Sequence, residues 1–367
     1  MTMRVMVVTG TRAEFGLLTS TIEAIRSHRD LELLLVAAGA HLIGDAPTIQ
    51  EVRRRFEVHA EVPLQTPGET GRIADAAAVG RGVAGFTATI DRLRPDFVLV
   101  LGDRIEAFAA ASAASVGGLA VAHIHGGDRA EGVADEAMRH AITKLAHLHL
   151  PATASSAARI ERMGERPDAI HVVGSPAVDG LGALRPLGDA GFRDLGSPRA
   201  LLLHHGAGLE PAMEDRWIEA ALAGLREVAP VLAIRPNRDP GSDRIDAALA
   251  EAEGVSVHPG LVRDDFVGLL RRVEVLVGNS SAGLIEAAVV GCPAVNLGPR
   301  QGGRERCANV VDVEVPDPDA IVRGIRRALE VERGFDHPYG EEGVGERIAS
   351  ILADARGGID LRKRIAY

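Results

Sequence analysis

The sequence predicts an α/β protein in which two doubly wound parallel sheets follow one another along the chain. Two observations support this fold class. Short runs of Val, Leu and Ile alternate with longer stretches of helical apolar spacing, and the alternation pauses between residues 174 and 199, where glycine and proline are frequent. At 367 residues the chain is long enough for two domains of about 150 residues each. We therefore place a linker in residues 174–199.

The first half of the chain predicts strands that are apolar on both faces, as buried parallel strands are. They lie at residues 4–8, 31–36, 97–101, 120–123 and 148–151, with helices at 17–27, 72–93, 104–115 and 133–146. In the second half, strands are predicted at 200–203, 231–234, 275–277 and 294–297, each followed by a helix. Two such domains are expected to place their binding loops around a shared cleft.

The composition is that of a folded globular protein. Hydrophobic residues make up 46% and charged residues 25%, which excludes a disordered chain or a multi-span membrane protein. A net charge of -10 and 3% aromatic residues argue against a broad nucleic-acid surface. Cys292 and Cys307 lack the spacing of a metal or redox pair, so no disulfide scaffold and no metal site are expected. Without a signal peptide or an apolar stretch of about 20 residues, a cytoplasmic protein is expected.

The turn after the first strand is a candidate anion site. It reads GTRAEFG at residues 10–16, and a glycine-containing turn before a helix offers backbone N–H groups to an anion. Arg12 adds a forked cation. The turn is neither a Walker loop nor the spaced-glycine dinucleotide fingerprint. An ordinary strand-to-helix turn is the alternative interpretation.

Titratable residues follow two further strands of the first half. GDRIE at residues 102–106 places Asp103 at a strand's carboxyl end, where it can act on a ligand, cap the next helix, or do both. HIHGGD at residues 123–128 holds two histidines that alternate along a strand, which argues against joint metal ligation. Asp135 and Arg139 are four residues apart and share a helix face. A charged helix with a capping aspartate is the alternative, but so many titratable groups beside glycines favour a site.

The second half carries a candidate diphosphate site. GNSSAGLIE at residues 278–286 follows an apolar strand and is predicted to open a helix, whose N–H groups and serine hydroxyls suit a diphosphate. Glu286 is predicted to lie about one and a half turns into this helix, too deep for a cap, and is suited to accept a ribose hydroxyl pair. A serine N-cap alone is the alternative. A later glycine-rich loop, residues 296–304, adds Arg300 and Arg304.

Taken together, these motifs resemble the hydrolysing UDP-N-acetylglucosamine 2-epimerases of the sialic-acid-type branch. The resemblance covers nearly the whole chain and rests on seven motifs in order. They are residues 10–16, His41-Leu42, residues 102–104, residues 123–128, RHAITKL at residues 139–145, GNSS at residues 278–281, and Arg300-Gln301.

The resemblance implies two Rossmann-like doubly wound domains facing across a cleft, the glycosyltransferase-B architecture. An N-terminal domain at residues 1–178 would carry catalytic carboxylates, and a domain at residues 179–345 would bind the nucleoside diphosphate. A C-terminal helix at residues 346–367 would cross back to the first domain. The expected partners are a UDP-sugar substrate and a second copy of the chain in a homodimer, without nucleic acid or membrane.

The resemblance also implies a reaction. Loss of UDP together with the C2 proton gives a glycal, and water then adds at C1 while C2 is reprotonated on the other face. UDP-N-acetylglucosamine would yield N-acetylmannosamine and UDP, with no metal or redox cofactor, because inversion proceeds through elimination. The catalytic residues implied are Asp103, His125, Asp135, Arg139 and His205, and the substrate-binding residues are Arg12, Gly278, Ser280, Ser281, Glu286 and Arg300.

Three positions depart from the sialic-acid-type pattern. His125 replaces a glutamate, Leu17 a lysine, and Gly206 a proline. A neutral imidazole can still relay a proton. HIHGG together with Gly16-Leu17-Leu18 resembles the branch that acts on N,N'-diacetylbacillosamine nucleotides in legionaminic acid synthesis, so the sugar, and the choice of UDP or GDP, stay open. A glycosyltransferase of the same fold and a catalytically inactive sugar-nucleotide-binding protein are the alternative functions.

Overall fold

The computed structural model describes residues 2–43, 47–130, 135–236 and 241–366. The chain divides into two compact units. The first unit comprises residues 2–43, 47–128, 135–179 and 339–366, and the second comprises residues 129–130, 180–236 and 241–338. Each contains one parallel six-stranded sheet with flanking helices, which confirms the predicted pair of Rossmann-like domains.

The first unit begins and ends the chain. Its strands are β1 (Met3–Thr9), β2 (Leu31–Ala38), β3 (Ala60–Val62), β4 (Phe97–Leu101), β5 (Ala120–Ile124) and β6 (Leu148–Leu150). Its helices are α1 (Arg12–Ser27), α2 (Ile49–Arg55), α3 (Arg72–Leu93), α4 (Ile105–Val116), α5 (Asp135–Leu145), α6 (Ala154–Arg162) and, near the C-terminus, α13 (Val344–Asp354). The sheet order is β3-β2-β1-β4-β5-β6. Because the order reverses between β1 and β4, their carboxyl ends form the crevice in which such sheets bind ligands.

The second unit repeats this topology. Its strands are β7 (Ala200–Leu203), β8 (Val231–Ile234), β9 (Val255–His258), β10 (Val275–Gly278), β11 (Ala294–Leu297) and β12 (Val310–Val313). Its helices are α7 (Asp189–Asp194), α8 (Pro211–Leu225), α9 (Ser242–Glu251), α10 (Arg263–Leu270), α11 (Glu286–Val290) and α12 (Pro318–Leu329). The sheet order is β12-β11-β10-β7-β8-β9, so its crevice lies at the carboxyl ends of β7 and β10.

All nine predicted strands are confirmed, and three further strands were not predicted. The three are β3, β9 and β12, and each is an edge strand of its sheet. Each contains an exposed polar residue, Glu61, Ser256 or Asp312, because one side of an edge strand faces water. The apolar runs that reveal a central strand are therefore interrupted in these three.

The first helix begins five residues earlier than predicted, at Arg12. Thr11 is its N-cap, and the Thr11 hydroxyl accepts the Glu14 N–H at 3.2 Å. The Glu14 carboxylate reaches back to the Gly10 N–H at 2.9 Å. A threonine followed three residues later by glutamate is the sequence pattern of a capping box, and here it starts the helix within the predicted turn.

The C-terminal segment packs on the first unit. α13 lies against α1, and the Asp179 carboxylate accepts the Val344 and Gly345 N–H groups at its start, at 2.9 and 2.8 Å. A Cβ on Gly345 would lie 2.7 Å from the Ser20 carbonyl carbon, so only glycine permits this close helix contact. No helix in the described ranges is long and apolar enough to cross a membrane.

The buried carboxylate of Glu165 binds Lys363, near the end of the chain, to the first unit. Glu165 is 4% exposed and contacts His149 Nε2 at 3.0 Å, Lys144 Nζ at 2.5 Å and Lys363 Nζ. Burial alone would raise the pKa of Glu165, but these hydrogen bonds outweigh burial and lower the pKa to about 2. Glu165 therefore remains ionised in the folded protein under most conditions.

We predict that Glu165→Gln lowers the free energy of unfolding by about 1–3 kcal/mol at neutral pH, because two lysines lose a buried ionic partner. Since the folded pKa lies below the usual value of 4.5, the contribution is complete above 4.5 and disappears as the pH falls towards about 2. Urea unfolding of both proteins across this pH range measures the difference. Glu161→Gln, on the exposed face of α6, is the matched control. A difference that stays constant down to pH 2 would contradict the assignment.

Candidate functional site

Asp103 stands at the crevice of the first unit, directly after β4 and Gly102. The Arg139 guanidinium of α5 forms an ion pair with the Asp103 carboxylate. Arg139 is 3% exposed, and its other terminal nitrogen donates to the His125 carbonyl oxygen at 3.1 Å. The Asp103 side chain remains 19% exposed. A carboxylate is thus held in one orientation while part of its surface faces solvent.

The two histidines of the HIHGGD motif have separate surroundings. His123 lies in β5, where Nε2 contacts the Gly102 carbonyl oxygen at 2.7 Å and Nδ1 contacts the Thr143 hydroxyl at 3.2 Å. Burial lowers the pKa of His123 to about 3, so the ring is neutral. His125 lies beyond the end of β5 with a left-handed backbone, φ 62°. The prediction that both histidines belong to one strand is therefore wrong, because the chain turns at His125.

In the turn at residues 10–16, two of the backbone N–H groups that were predicted to be free for an anion already donate to side chains of the same turn. The Gly10 and Glu14 N–H groups are both taken by the capping box. A Cβ on Gly10 would lie 2.7 Å from Glu106 Cγ, so a second buried acid fills the space beneath the turn. Burial raises the pKa of Glu14 to about 8, and the charge of Glu106 acts in the same direction. The expectation of free N–H groups is wrong at these two positions, because the Gly10 N–H donates to the Glu14 side chain and the Glu14 N–H donates to the Thr11 hydroxyl.

Arg12, a predicted substrate-binding residue, is the first residue of α1. Its side chain is 36% exposed and makes an ion pair with Glu51 of α2, with Nε 3.1 Å from the carboxylate. Its assignment to substrate binding stays a prediction. Asp135 is the first residue of α5, but its side chain lies outside the part of the chain that the structure describes.

In the second unit, Asn279 joins the loops at the crevice. Its side-chain oxygen accepts the His205 N–H at 2.7 Å, and its amide nitrogen donates to the His205 carbonyl oxygen at 2.8 Å. Arg300 and Gln301 both donate to the Asn279 carbonyl oxygen, at 3.1 and 2.9 Å. The predicted site residues His205 and Arg300 are therefore joined through Asn279. Asn279 belongs to the GNSS motif at residues 278–281, but no role was predicted for it from the sequence.

Gly278 brings the ends of β7 and β10 together. Its φ is 143°, and a Cβ there would lie 2.1 Å from the Leu203 carbonyl oxygen. No side chain fits at this distance, and the backbone conformation also favours glycine. Ser280 and Ser281 follow Gly278 in sequence and therefore lie next to the crevice at the carboxyl ends of β7 and β10.

Glu286 does not lie one and a half turns into a helix, as the sequence predicted. A 3-10 turn, Ser281–Gly283, follows the Ser280 hydroxyl, which accepts the Ala282 N–H at 3.4 Å. α11 then begins at Glu286, which is 9% exposed. The predicted helix start is wrong because the 3-10 turn comes first, and Gly283 packs this turn against β10, where a Cβ would lie 3.3 Å from Leu276 Cδ2.

His204, beside His205, also lies at this crevice. It is 3% exposed, and burial, followed by the charge of Arg300, lowers its pKa to about 4. The ring is therefore neutral at physiological pH. Within residues 2–43, 47–130, 135–236 and 241–366, no group of three or more His, Cys, Asp and Glu side chains could hold a metal ion.

Comparison with known proteins identifies relatives along nearly the whole chain. The family model described as UDP-N-acetylglucosamine 2-epimerase matches residues 23–353. The chain is 34% identical to a hydrolysing UDP-N,N'-diacetylbacillosamine 2-epimerase of Legionella pneumophila, over 95% of each chain. It is 31% identical to a UDP-N-acetylglucosamine 2-epimerase of Neisseria meningitidis, over 85% of this chain and 84% of the relative.

Among solved structures, the UDP-N-acetylglucosamine 2-epimerase of Methanocaldococcus jannaschii in complex with UDP-N-acetylglucosamine and UDP has the same fold. The TM-score is 0.82, with 18% identity, over 96% of this chain and all of that one.

We predict that Gly278→Ala destabilises the second unit by more than about 1–3 kcal/mol, since a strained backbone adds to a contact with the Leu203 carbonyl oxygen. Thermal unfolding measures the effect. Gly80→Ala in α3 is the control, because a Cβ there meets nothing within 4 Å and should stabilise the helix by about 0.5–1 kcal/mol. Equal melting temperatures for Gly278→Ala and the unaltered protein would contradict the close approach of β7 and β10.

Proposed function

The chain belongs to the UDP-N-acetylglucosamine 2-epimerase family, and on this premise we propose that it hydrolyses a UDP-2-acetamido sugar with inversion at C2. Within that class of enzyme, the observation that supports the proposal most directly is the Asp103–Arg139 pair. A partly exposed carboxylate with a fixed orientation at the crevice of a doubly wound sheet is suited to exchange a proton with a bound sugar.

We propose a diacetamido sugar nucleotide as the first substrate to test and UDP-N-acetylglucosamine as the second. The Legionella relative, named for the diacetylbacillosamine nucleotide, is similar over 95% of the chain, and the HIHGG motif supports the same choice. The nucleotide is proposed to be UDP because the relatives compared above carry UDP in their names.

The second unit is proposed to hold the diphosphate. Ser280, Ser281 and Arg300 follow β10 and β11, on loops that Asn279 joins by hydrogen bonds. A departing diphosphate gains negative charge, and guanidinium and hydroxyl donors stabilise that charge. Glu286 and Gly278 are the other binding residues proposed in this unit, and Arg12 is the one proposed in the first unit. His205 is proposed to face the reacting sugar. The Asn279 side chain holds it in place by hydrogen bonds to both its N–H and its carbonyl oxygen.

The first unit is proposed to supply the proton transfers. In the elimination, the C2–H bond and the bond from C1 to the diphosphate oxygen break, and a C1–C2 double bond forms. In the hydration, water oxygen bonds to C1 and a proton returns to C2 on the opposite face. Inversion requires two groups that exchange a proton from different sides, and we propose Asp103 and Asp135 for this work. The sum is one water consumed, with UDP and the free epimerised sugar released.

The decisive experiment is turnover in heavy water. We predict that the protein releases UDP and a free 2-epimerised sugar that carries deuterium at C2, as detected by NMR and mass spectrometry. Asp103→Asn should lower kcat by about 10²–10⁴-fold, because an amide cannot accept the proton, while UDP affinity is retained.

Asp168→Asn is the matched control, since Asp168 forms an exposed pair with Arg166 in the same unit. A glycosyltransferase would leave C2 unlabelled, and a binding protein would release no sugar. Intact substrate with both sugar nucleotides and a well-folded protein would contradict the proposed function.

A second prediction concerns the diphosphate. Arg300→Ala should raise the Kd for UDP by about 10–100-fold, because a hydrogen bond to a charged group contributes about 1.5–3 kcal/mol. Isothermal titration calorimetry measures the Kd. Arg244→Ala is the control, since Arg244 pairs with Asp215 on the exposed side of α8 and α9. An unchanged Kd in Arg300→Ala would remove Arg300 from the site.

A further inference from the structure

His125 is the centre of a buried network within the first unit. Its Nδ1 lies 2.7 Å from Asp128 Oδ2, and its Nε2 lies 2.9 Å from Ser175 Oγ. Asp128 Oδ1 accepts the Ser156 hydroxyl at 2.8 Å. His125 is 5% exposed, Asp128 4%, and both serines are fully buried.

The hydrogen bonds determine which tautomer the His125 ring adopts in its neutral form. A carboxylate only accepts, so in this tautomer Nδ1 carries the proton and donates to Asp128, and Nε2 is the acceptor. The Ser175 hydroxyl then donates to Nε2, while its oxygen accepts the Ala177 N–H at 3.2 Å. Both ring nitrogens are thus occupied by neighbours inside the unit. Although the residues have the order Ser-His-Asp, the fully buried Ser175 has no surface from which to attack a substrate.

The main chain of His125 is connected through Arg139 to Asp103, the proposed proton carrier. His125 has φ 62°, a conformation that costs a non-glycine residue energy and persists only where its surroundings enforce it. In this conformation the His125 carbonyl oxygen accepts from Arg139, whose other terminal nitrogen holds Asp103. The side-chain network therefore fixes the turn, the turn orients Arg139, and Arg139 orients Asp103.

The turn has little room to adopt another shape. A Cβ on Gly126 would lie 2.9 Å from His123 Nδ1, and a Cβ on Gly127 would lie 2.3 Å from the Ser156 carbonyl oxygen. Ser175 is itself anchored, because its N–H donates to the Tyr339 carbonyl oxygen at 2.8 Å. The network thus connects the returning C-terminal segment to the turn that orients Asp103.

We propose that Ser175, Asp128 and His125 are positioning residues for Asp103, and that His125 itself neither removes a proton from the sugar nor returns one. The inference rests on the proposed function, since it concerns how Asp103 is held for that reaction. It also replaces the role in proton transfer that the sequence resemblance suggested for His125.

The first test uses residues that would have no part in the chemistry if His125 acted alone. Ser175→Ala and Asp128→Asn should each lower kcat by about 10–100-fold, because a displacement of about 1 Å can cost about 10²-fold. KM should change less than about threefold, and the pH profile of kcat should keep its shape. His125→Gln combined with Ser175→Ala should be no worse than the stronger single variant, since both break the same network.

Ser112→Ala is the matched control, because the Ser112 hydroxyl donates to the Phe108 carbonyl oxygen within its own helix, α4. Melting temperatures establish that each variant is folded. The proposal is overturned if His125→Gln abolishes deuterium exchange at C2 and removes one limb of the pH profile, while Ser175→Ala and Asp128→Asn behave like Ser112→Ala. In that case His125 carries the proton.

A second measurement does not depend on turnover. The ¹⁵N shifts of the His125 ring, assigned by their loss in His125→Gln, should show a protonated Nδ1 and an acceptor Nε2, and Ser175→Ala should change the Nε2 shift. A protonated Nε2, or no response to Ser175→Ala, overturns the network. If the unaltered protein turns over neither sugar nucleotide, the proposed function fails, and the ring shifts still decide the network.

Discussion

The buried guanidinium of Arg139 is the group on which the first unit's site depends. A charge removed from water must find its partners inside the protein, and Arg139 is 3% exposed. Its partners are the Asp103 carboxylate and the His125 carbonyl oxygen. Because Asp103 follows β4, His125 follows β5 and Arg139 lies on α5, one side chain fixes three segments. The orientation of the proposed proton carrier follows from that requirement.

In the second unit, the buried polar side chain that must find its hydrogen-bond partners inside the protein is the neutral amide of Asn279. Asn279 is 2% exposed, bonds both main-chain groups of His205, and accepts from Arg300 and Gln301 through its own carbonyl. Asn279 joins the segments that follow β7 and β10, the two strands at which the order of the second sheet reverses, whereas Arg139 joins the segments that follow β4 and β5. At the reversal in the second unit, the Asn279 hydrogen bonds therefore connect the two segments that border the crevice.

Some of the site could be derived from the sequence and some could not. The motifs placed Asp103 and the residues after β10 at strand ends and Arg139 on a helix, where the structure has them. The Thr11 to Glu14 spacing was a readable signal for a capping box, and it explains why the Gly10 and Glu14 N–H groups serve the protein itself. Ser175 carried no signal, since it lies 50 residues from His125 and meets it only through the fold.

The sequence by itself determined the two parallel sheets, because buried central strands need continuous apolar runs and the helices between them need apolar spacing of their own. It did not determine the edge strands β3, β9 and β12, whose polar residues face water. Only the tertiary structure decided which groups satisfy Arg139, His125 and Asn279. The reason is physical: a buried polar side chain takes its partners from the groups that the packed chain brings within about 3 Å, and apart from Asp128 beside His125 these partners are distant in sequence.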